Sequence, residues 1–115
     1  RHHSNIRKFG REKNQRQALM RSLARNLIRD TKISTTTAKA KELRPYVEKL
    51  VTKAKEGTMA SKRLIVSRIH GTDETKKLID LVSAKYMDRK GGYTRIIRLP
   101  NRDLDGSPMS LIEFV

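Results

Sequence analysis

The sequence predicts an α+β domain: a basic N-terminal arm followed by about four helices packed on a small sheet of three strands. Three observations lead to it. Apolar residues recur at helical spacing in four separate stretches. After Gly91-Gly92 the apolar period drops to two, as in strands with one buried face. A chain of 115 residues has room for one core and not two.

The arm comes first. Arg1, Arg7, Lys8, Arg11 and Lys13 lie among Asn, Ser, His and Gly with no sustained apolar period. Such a segment cannot repay the entropy of folding alone. Residues 1–13 are therefore read as an extended basic arm, and residues 14–115 as the single α+β domain. From Gln15 to Arg29, Leu19, Leu23 and Leu27 lie four apart beside a second row of Met20, Ala24 and Ile28. That is one apolar helical stripe, with Asn14 expected as N-cap.

Lys32 to Thr36 is short and β-branched and reads as a strand. Thr37 is expected to cap a second helix over residues 38–56, which buries Leu43, Val47, Leu50, Val51 and Ala54 and stops at Gly57. Pro45 removes one helical hydrogen bond, so it either bends that helix or marks its true start. A third helix over residues 59–69 turns Ala60, Leu64, Ile65 and Ile69 inward, and His70-Gly71 ends it. Thr72 is expected to cap a fourth, whose first turn carries Asp73 and Glu74 where the helix dipole favours them. Leu78, Ile79, Leu81, Val82 and Tyr86 are its apolar positions. Tyr93–Leu99 and Met109–Val115 then read as antiparallel strands. At least one glycine of the preceding pair is expected at positive φ, with Ile96 facing the helices and Arg95 reaching outward.

Charge narrows the function. Lys and Arg number 27 against 12 Asp and Glu, a net charge of +15. Self-repulsion of that size calls for a polyanionic partner, and nucleic acid is the usual one. Residues 1–29 hold nine of the bases and a single acid. On the first helix Arg21, Arg25 and Arg29 form a row four apart, a spacing at which like charges repel unless something anionic lies against them. Phosphate is the expected ligand of that row. Lys62, Arg63 and Arg68 lie on the outward side of the third helix.

Chemistry is missing from the pattern. Without cysteine there is no disulfide or thiolate site, and His2, His3 and His70 do not form a metal-ligand spacing. Asp73-Glu74 is explained by the helix end, Asp103 and Asp105 by a turn, and Gly91-Gly92 lacks the Gly-Lys-Ser/Thr of a phosphate loop. No enzyme, cofactor, metal or small-molecule substrate is expected. No apolar run approaches a membrane span, and the amphipathic segment 16–28 lacks the aromatic anchors of a membrane-surface helix. A DNA regulator would concentrate base-reading residues on one helix. Here the cations spread over arm, helices and strands, which suits the shape and phosphates of folded RNA.

Four blocks of sequence sharpen this. They are Arg16-Gln17-Ala18-Leu19-Met20-Arg21 after Arg1-His2, Arg7 and Arg11; Thr35-Thr36 with Lys39-Ala40-Lys41-Glu42-Leu43-Arg44; Arg89-Lys90-Gly91-Gly92-Tyr93-Thr94-Arg95-Ile96; and Asp105-Gly106-Ser107-Pro108-Met109 with Ile112-Glu113. In this order they resemble the bacterial large-subunit ribosomal protein seventeen family over nearly the whole chain. Gln15 departs from that family's usual His, Ile6 from its Gly, Ser22 from its Asn and Ala38 from its Pro. The resemblance implies a structural constituent of the large ribosomal subunit. Such a protein binds large-subunit rRNA near the exit of the peptide tunnel, beside other ribosomal proteins. Its location would be the cytoplasmic ribosome or an organellar one. With Arg16 and His2, the residues Lys39, Arg89, Lys90 and Arg95 from the matching blocks complete the candidate RNA contacts.

Overall fold

In the computed structural model, which describes residues 9–115, the first helical period becomes α1 (Lys13–Asp30) and buries Met20, Ala24, Leu27 and Ile28. Two details differ from expectation. Lys13, assigned to the arm, is the first residue of α1, and Glu12 rather than Asn14 holds the cap position, without a side-chain cap bond. Just before it Phe9 and Gly10 make a turn, and Phe9 packs partly against the core. The candidate contacts Arg1, His2, Arg7 and Lys8 lie outside the described residues.

At its other end α1 stops at Thr31, whose φ of 65° is unusual for a β-branched residue. Its N–H donates to the Leu27 carbonyl, and its own carbonyl accepts from Phe114 N–H. The turn is thereby tied to the sheet. Strand β1 (Lys32–Thr36) follows at once, then α2 (Thr37–Glu56). The cap of α2 is Thr36, whose hydroxyl accepts from Lys39 N–H, and not Thr37. Thr37 is buried inside the first turn, where its hydroxyl pairs with Ser110 Oγ at 2.8 Å. α2 runs unbroken through Pro45, so the proline does not mark its start. Pro45 is exposed, and water can satisfy the carbonyl that it leaves without a helical donor. Gly57 ends α2 at φ 69°, as expected.

α3 (Met59–Ile69) opens with a reciprocal capping box between Thr58 and Ser61. That box buries Ser61 and leaves Ala60 exposed, the reverse of the inward position expected for Ala60. α4 (Thr72–Lys85) is preceded by Gly71 at its cap, and Thr72 is already helical. The buried Thr75 hydroxyl instead donates back to the Gly71 carbonyl at 2.6 Å.

Strands β2 (Thr94–Leu99) and β3 (Met109–Phe114) pair antiparallel, and β1 pairs with the other edge of β3, giving the order β1-β3-β2. Ile33, Ile112 and Ile96 stand in one register row on the helix-facing side, with Ile112 fully buried between them. The next row on the outer face joins Lys32, Glu113 and Arg95. The facing expected for Ile96 and Arg95 is therefore observed. α2 supplies the largest buried face (Ala40, Leu43, Val47, Leu50, Val51 and Ala54) and packs against all three other helices and the sheet.

Tyr86, Tyr93 and Phe114 close the end of the core where α4 gives way to β2. Tyr86 and Tyr93 meet edge-on with centroids 5.3 Å apart, and the Tyr86 hydroxyl donates to the Val115 carbonyl. Gly91 and Gly92 lie between these tyrosines at φ 155° and 62°. A Cβ at Gly92 would meet nothing closer than an Arg89 guanidinium nitrogen at 3.9 Å, so the constraint there is backbone conformation and not space. Gly92→Ala is therefore expected to cost about 1–2 kcal/mol. Thermal denaturation should show a lowered Tm, and an unchanged Tm would mean that the corner is not strained.

Candidate nucleic-acid interface

The arginine row of α1 is tied into the protein more than a solvated face would be. Arg21 is half-buried, and its Nε donates to the Arg68 carbonyl at the end of α3. Arg25 pairs with Glu74 of α4 at 3.1 Å, and Arg29 pairs with its neighbour Asp30. Lys77 of α4 donates to the Arg29 carbonyl at the end of α1. No acid alternates with these arginines along the helix; the compensating charge for Arg25 arrives from a helix 49 residues away in sequence.

Glu74 sits in the first turn of α4. Its own backbone N–H holds its carboxyl below the usual range, against the opposing effect of partial burial, and Arg25 adds to the lowering. Gly71 makes room for this arrangement, because a Cβ there would lie 2.8 Å from a Glu74 carboxylate oxygen.

Beyond the row, α1, α2 and α3 enclose a cleft of about 590 Å³. Arg16 and Arg21 enter it from α1, Glu42, Tyr46 and Lys49 from α2, and Arg68 from α3, with Phe9, Met20, Pro45 and Leu50 supplying apolar wall. The Tyr46 hydroxyl donates to the same Arg68 carbonyl that Arg21 uses, at 3.2 Å in each case. Burial pushes the Tyr46 pKa up, against the nearby positive charges of Arg21 and Arg68, so the hydroxyl stays protonated. Arg16, Arg21 and Arg68 are each expected from sequence, and folding brings them to one place. Lys49, Tyr46 and Phe9 are not. For two of them a signal is present, since Glu42, Tyr46 and Lys49 are spaced to share one helix face.

A second basic locus surrounds the glycine corner. Arg89 and Lys90 are exposed, and the Arg89 carbonyl accepts from Lys55 Nζ and from the Tyr93 hydroxyl. Lys55 also lies over the Tyr93 ring, 5.4 Å from its centroid. Lys55 thus belongs to this locus, although nothing in its sequence neighbourhood distinguishes it. Arg95 is exposed but pairs with Glu113 across the strands at 2.7 Å. Lys62 and Arg63 are exposed on α3, Lys39 is half-buried near the start of α2, and Arg11 donates to the Phe9 carbonyl ahead of α1. Among the described residues no cluster of His, Asp or Glu could hold a metal ion, and no helix is long and apolar enough to cross a membrane.

Known proteins resemble this chain along its length. The model of the family described as Ribosomal protein L17 matches residues 19–115. The chain belongs to that family. A large ribosomal subunit protein bL17 of Sphingopyxis alaskensis is 50% identical over 115 residues, all of this chain and 83% of that protein. The protein of the same name from Wolinella succinogenes is 44% identical over all of this chain and 99% of its own length. That of Sulfurihydrogenibium is 48% identical over all of this chain and 96% of its own length. Membership agrees with the resemblance carried by the four sequence blocks, and the family is one of ribosomal proteins rather than enzymes.

In this family member the Arg25–Glu74 pair joins α1 to α4, and the Glu74 carboxyl, held first by its own backbone N–H and then by Arg25, carries a pH dependence of known sign. The folded pKa of Glu74 is depressed, so its stabilisation is present above the unfolded value of about 4.3 and is lost as pH falls through the folded value. Tm should therefore drop in acid. Glu74→Gln should lower Tm slightly at pH 7 and make the acid decline shallower. An acid limb identical in wild type and variant would show that the Glu74 carboxylate contributes nothing.

Proposed function

We propose that the chain is a structural constituent of the large ribosomal subunit that binds and stabilises large-subunit rRNA. The observation that carries this is the gathering of cations from separate elements onto shared surfaces: Arg16, Arg21, Lys49 and Arg68 at the cleft, and Lys55, Arg89 and Lys90 at the corner. Phosphates are the complementary ligand, and the spread of these loci over the molecule suits a folded RNA whose backbone approaches from several directions. The names of the relatives, each a large ribosomal subunit protein, support the same reading.

Lys13, Lys39, Lys62 and Arg63 extend the proposed RNA surface, together with the arm cations Arg1, Arg7, Lys8 and Arg11 and with His2. Arg25, Arg29 and Arg95 belong to it as well, each reaching RNA with a carboxylate at its side that reduces its net charge. Neighbouring ribosomal proteins are the second class of partner. The outer face of the sheet supports this, since Ile97, Leu99, Met109 and Leu111 share it and aliphatic side chains offer nothing to phosphate. The position near the exit of the peptide tunnel, on a cytoplasmic or organellar ribosome, rests on the family resemblance. A tagged chain should co-sediment with large subunits in a sucrose gradient through moderate salt; sedimentation only as free protein would overturn the assignment.

Binding to large-subunit rRNA should weaken steeply with salt because each neutralised phosphate releases counterions. Replacing Lys62 and Arg63 by Gln should reduce the slope of log affinity against log salt by about 0.7–0.9 for each phosphate no longer neutralised, with little change in Tm. A slope unaltered in the folded variant would place that face of α3 in solvent.

A further inference from the structure

We infer that the cleft between α1, α2 and α3 seats a single unstacked nucleotide of the RNA, with its base against Tyr46 and its phosphates on Arg16, Lys49 and Arg68. This rests on the RNA-binding reading and adds a specific pocket to it. A surface that only tracks phosphates needs cations and no depth. This one has a volume of about 590 Å³, within the usual range of small-molecule sites, and its wall combines cations with the rings of Tyr46 and Phe9 and the apolar side chains of Met20 and Leu50.

The positions of the polar groups favour a nucleotide over a purely apolar occupant. Arg16, Arg21, Lys49 and Arg68 face the cleft against the one acid Glu42, so its lining is net positive. Tyr46 is held in place at its far end, because its hydroxyl donates to the Arg68 carbonyl and is joined there by Arg21 Nε. A pinned ring is a stacking platform that loses little freedom when a base covers it. Bases within an A-form duplex are stacked on one another and cannot enter such a cleft, whereas bases of loops, bulges and single strands can be splayed onto aromatic side chains.

The test compares oligonucleotides on the intact protein at low salt. One is a short single-stranded RNA with 2-aminopurine at its centre; the second is identical but abasic at that position, and the third is the matching duplex. The 2-aminopurine strand is expected to bind about tenfold or more tightly than the abasic strand, with quenching of its fluorescence. Tyr46→Leu should abolish that difference and Tyr46→Phe should keep it. Arg16→Gln should weaken both single strands alike. Equal binding of the base-bearing and abasic strands to wild type would overturn the pocket while leaving phosphate binding intact. So would a Tyr46→Leu variant, folded by its Tm, that retains the difference. If Tyr46→Leu does not fold, the wild-type comparison with the abasic strand decides alone. Failure of all three RNAs to bind would overturn the RNA-binding reading and the pocket with it.

Discussion

β3 is the segment on which the rest of the structure depends. It is the last strand in the chain and the middle strand of the sheet, so neither β1 nor β2 has a strand partner until residues 109–114 arrive between them. Its register is set by one side chain. Ile112 is fully buried between Ile33 and Ile96, and a slip of one residue would turn it outward and drive Glu113 into the core. Burying an unpaired carboxylate there would cost far more than the slip could recover. The hydroxyl pair between Thr37 and Ser110 reinforces this register, because it holds only when the start of α2 lies against the start of β3.

From that alignment the basic surface follows. The sheet supports α2, and α2 in turn positions α1, α3 and α4 around itself. Glu48 of α2 accepts from both the N–H and the hydroxyl of Thr94, at 3.0 and 2.8 Å, and so fixes the first residue of β2. Lys55, two turns further along the same helix, holds the Arg89 carbonyl. The corner that displays Arg89 and Lys90 is thus anchored to the helix whose other residues, Tyr46 and Lys49, line the cleft. Two separate cationic loci thus share one support, α2, which fixes their positions relative to each other.

A chain with this excess of positive charge must hold its compact state against its own repulsion. Part of the solution is local. Arg25 has Glu74, Arg29 has Asp30, Arg95 has Glu113 and Lys53 has Glu56. Solvent screens these pairs, so each contributes little to stability, yet they relieve repulsion where cations crowd. The core does the larger share with aliphatic side chains and an aromatic end of Tyr86, Tyr93 and Phe114.

Most of the architecture was legible in the residues. Periodic apolar rows marked α1 to α4, β-branched and alternating runs marked the strands, and glycines marked two of the ends, because these patterns record which face each element must bury. Helix starts are less legible: the caps are Glu12, Thr36 and Gly71, whereas the expected Asn14, Thr37 and Thr72 are already helical. Cap choice depends on which hydroxyl the fold needs elsewhere, as Thr37 shows by bonding Ser110. The four sequence blocks likewise sufficed to place the chain in its family. What only the tertiary structure decided is which charges meet. In sequence Arg16, Arg21, Arg25 and Arg68 are equivalent cations, but helix packing sends Arg25 to a carboxylate on α4 and collects the other three beside Tyr46. Spacing along one helix determines the face a residue occupies; the group opposite that face comes from a distant part of the chain and exists only once the helices have packed.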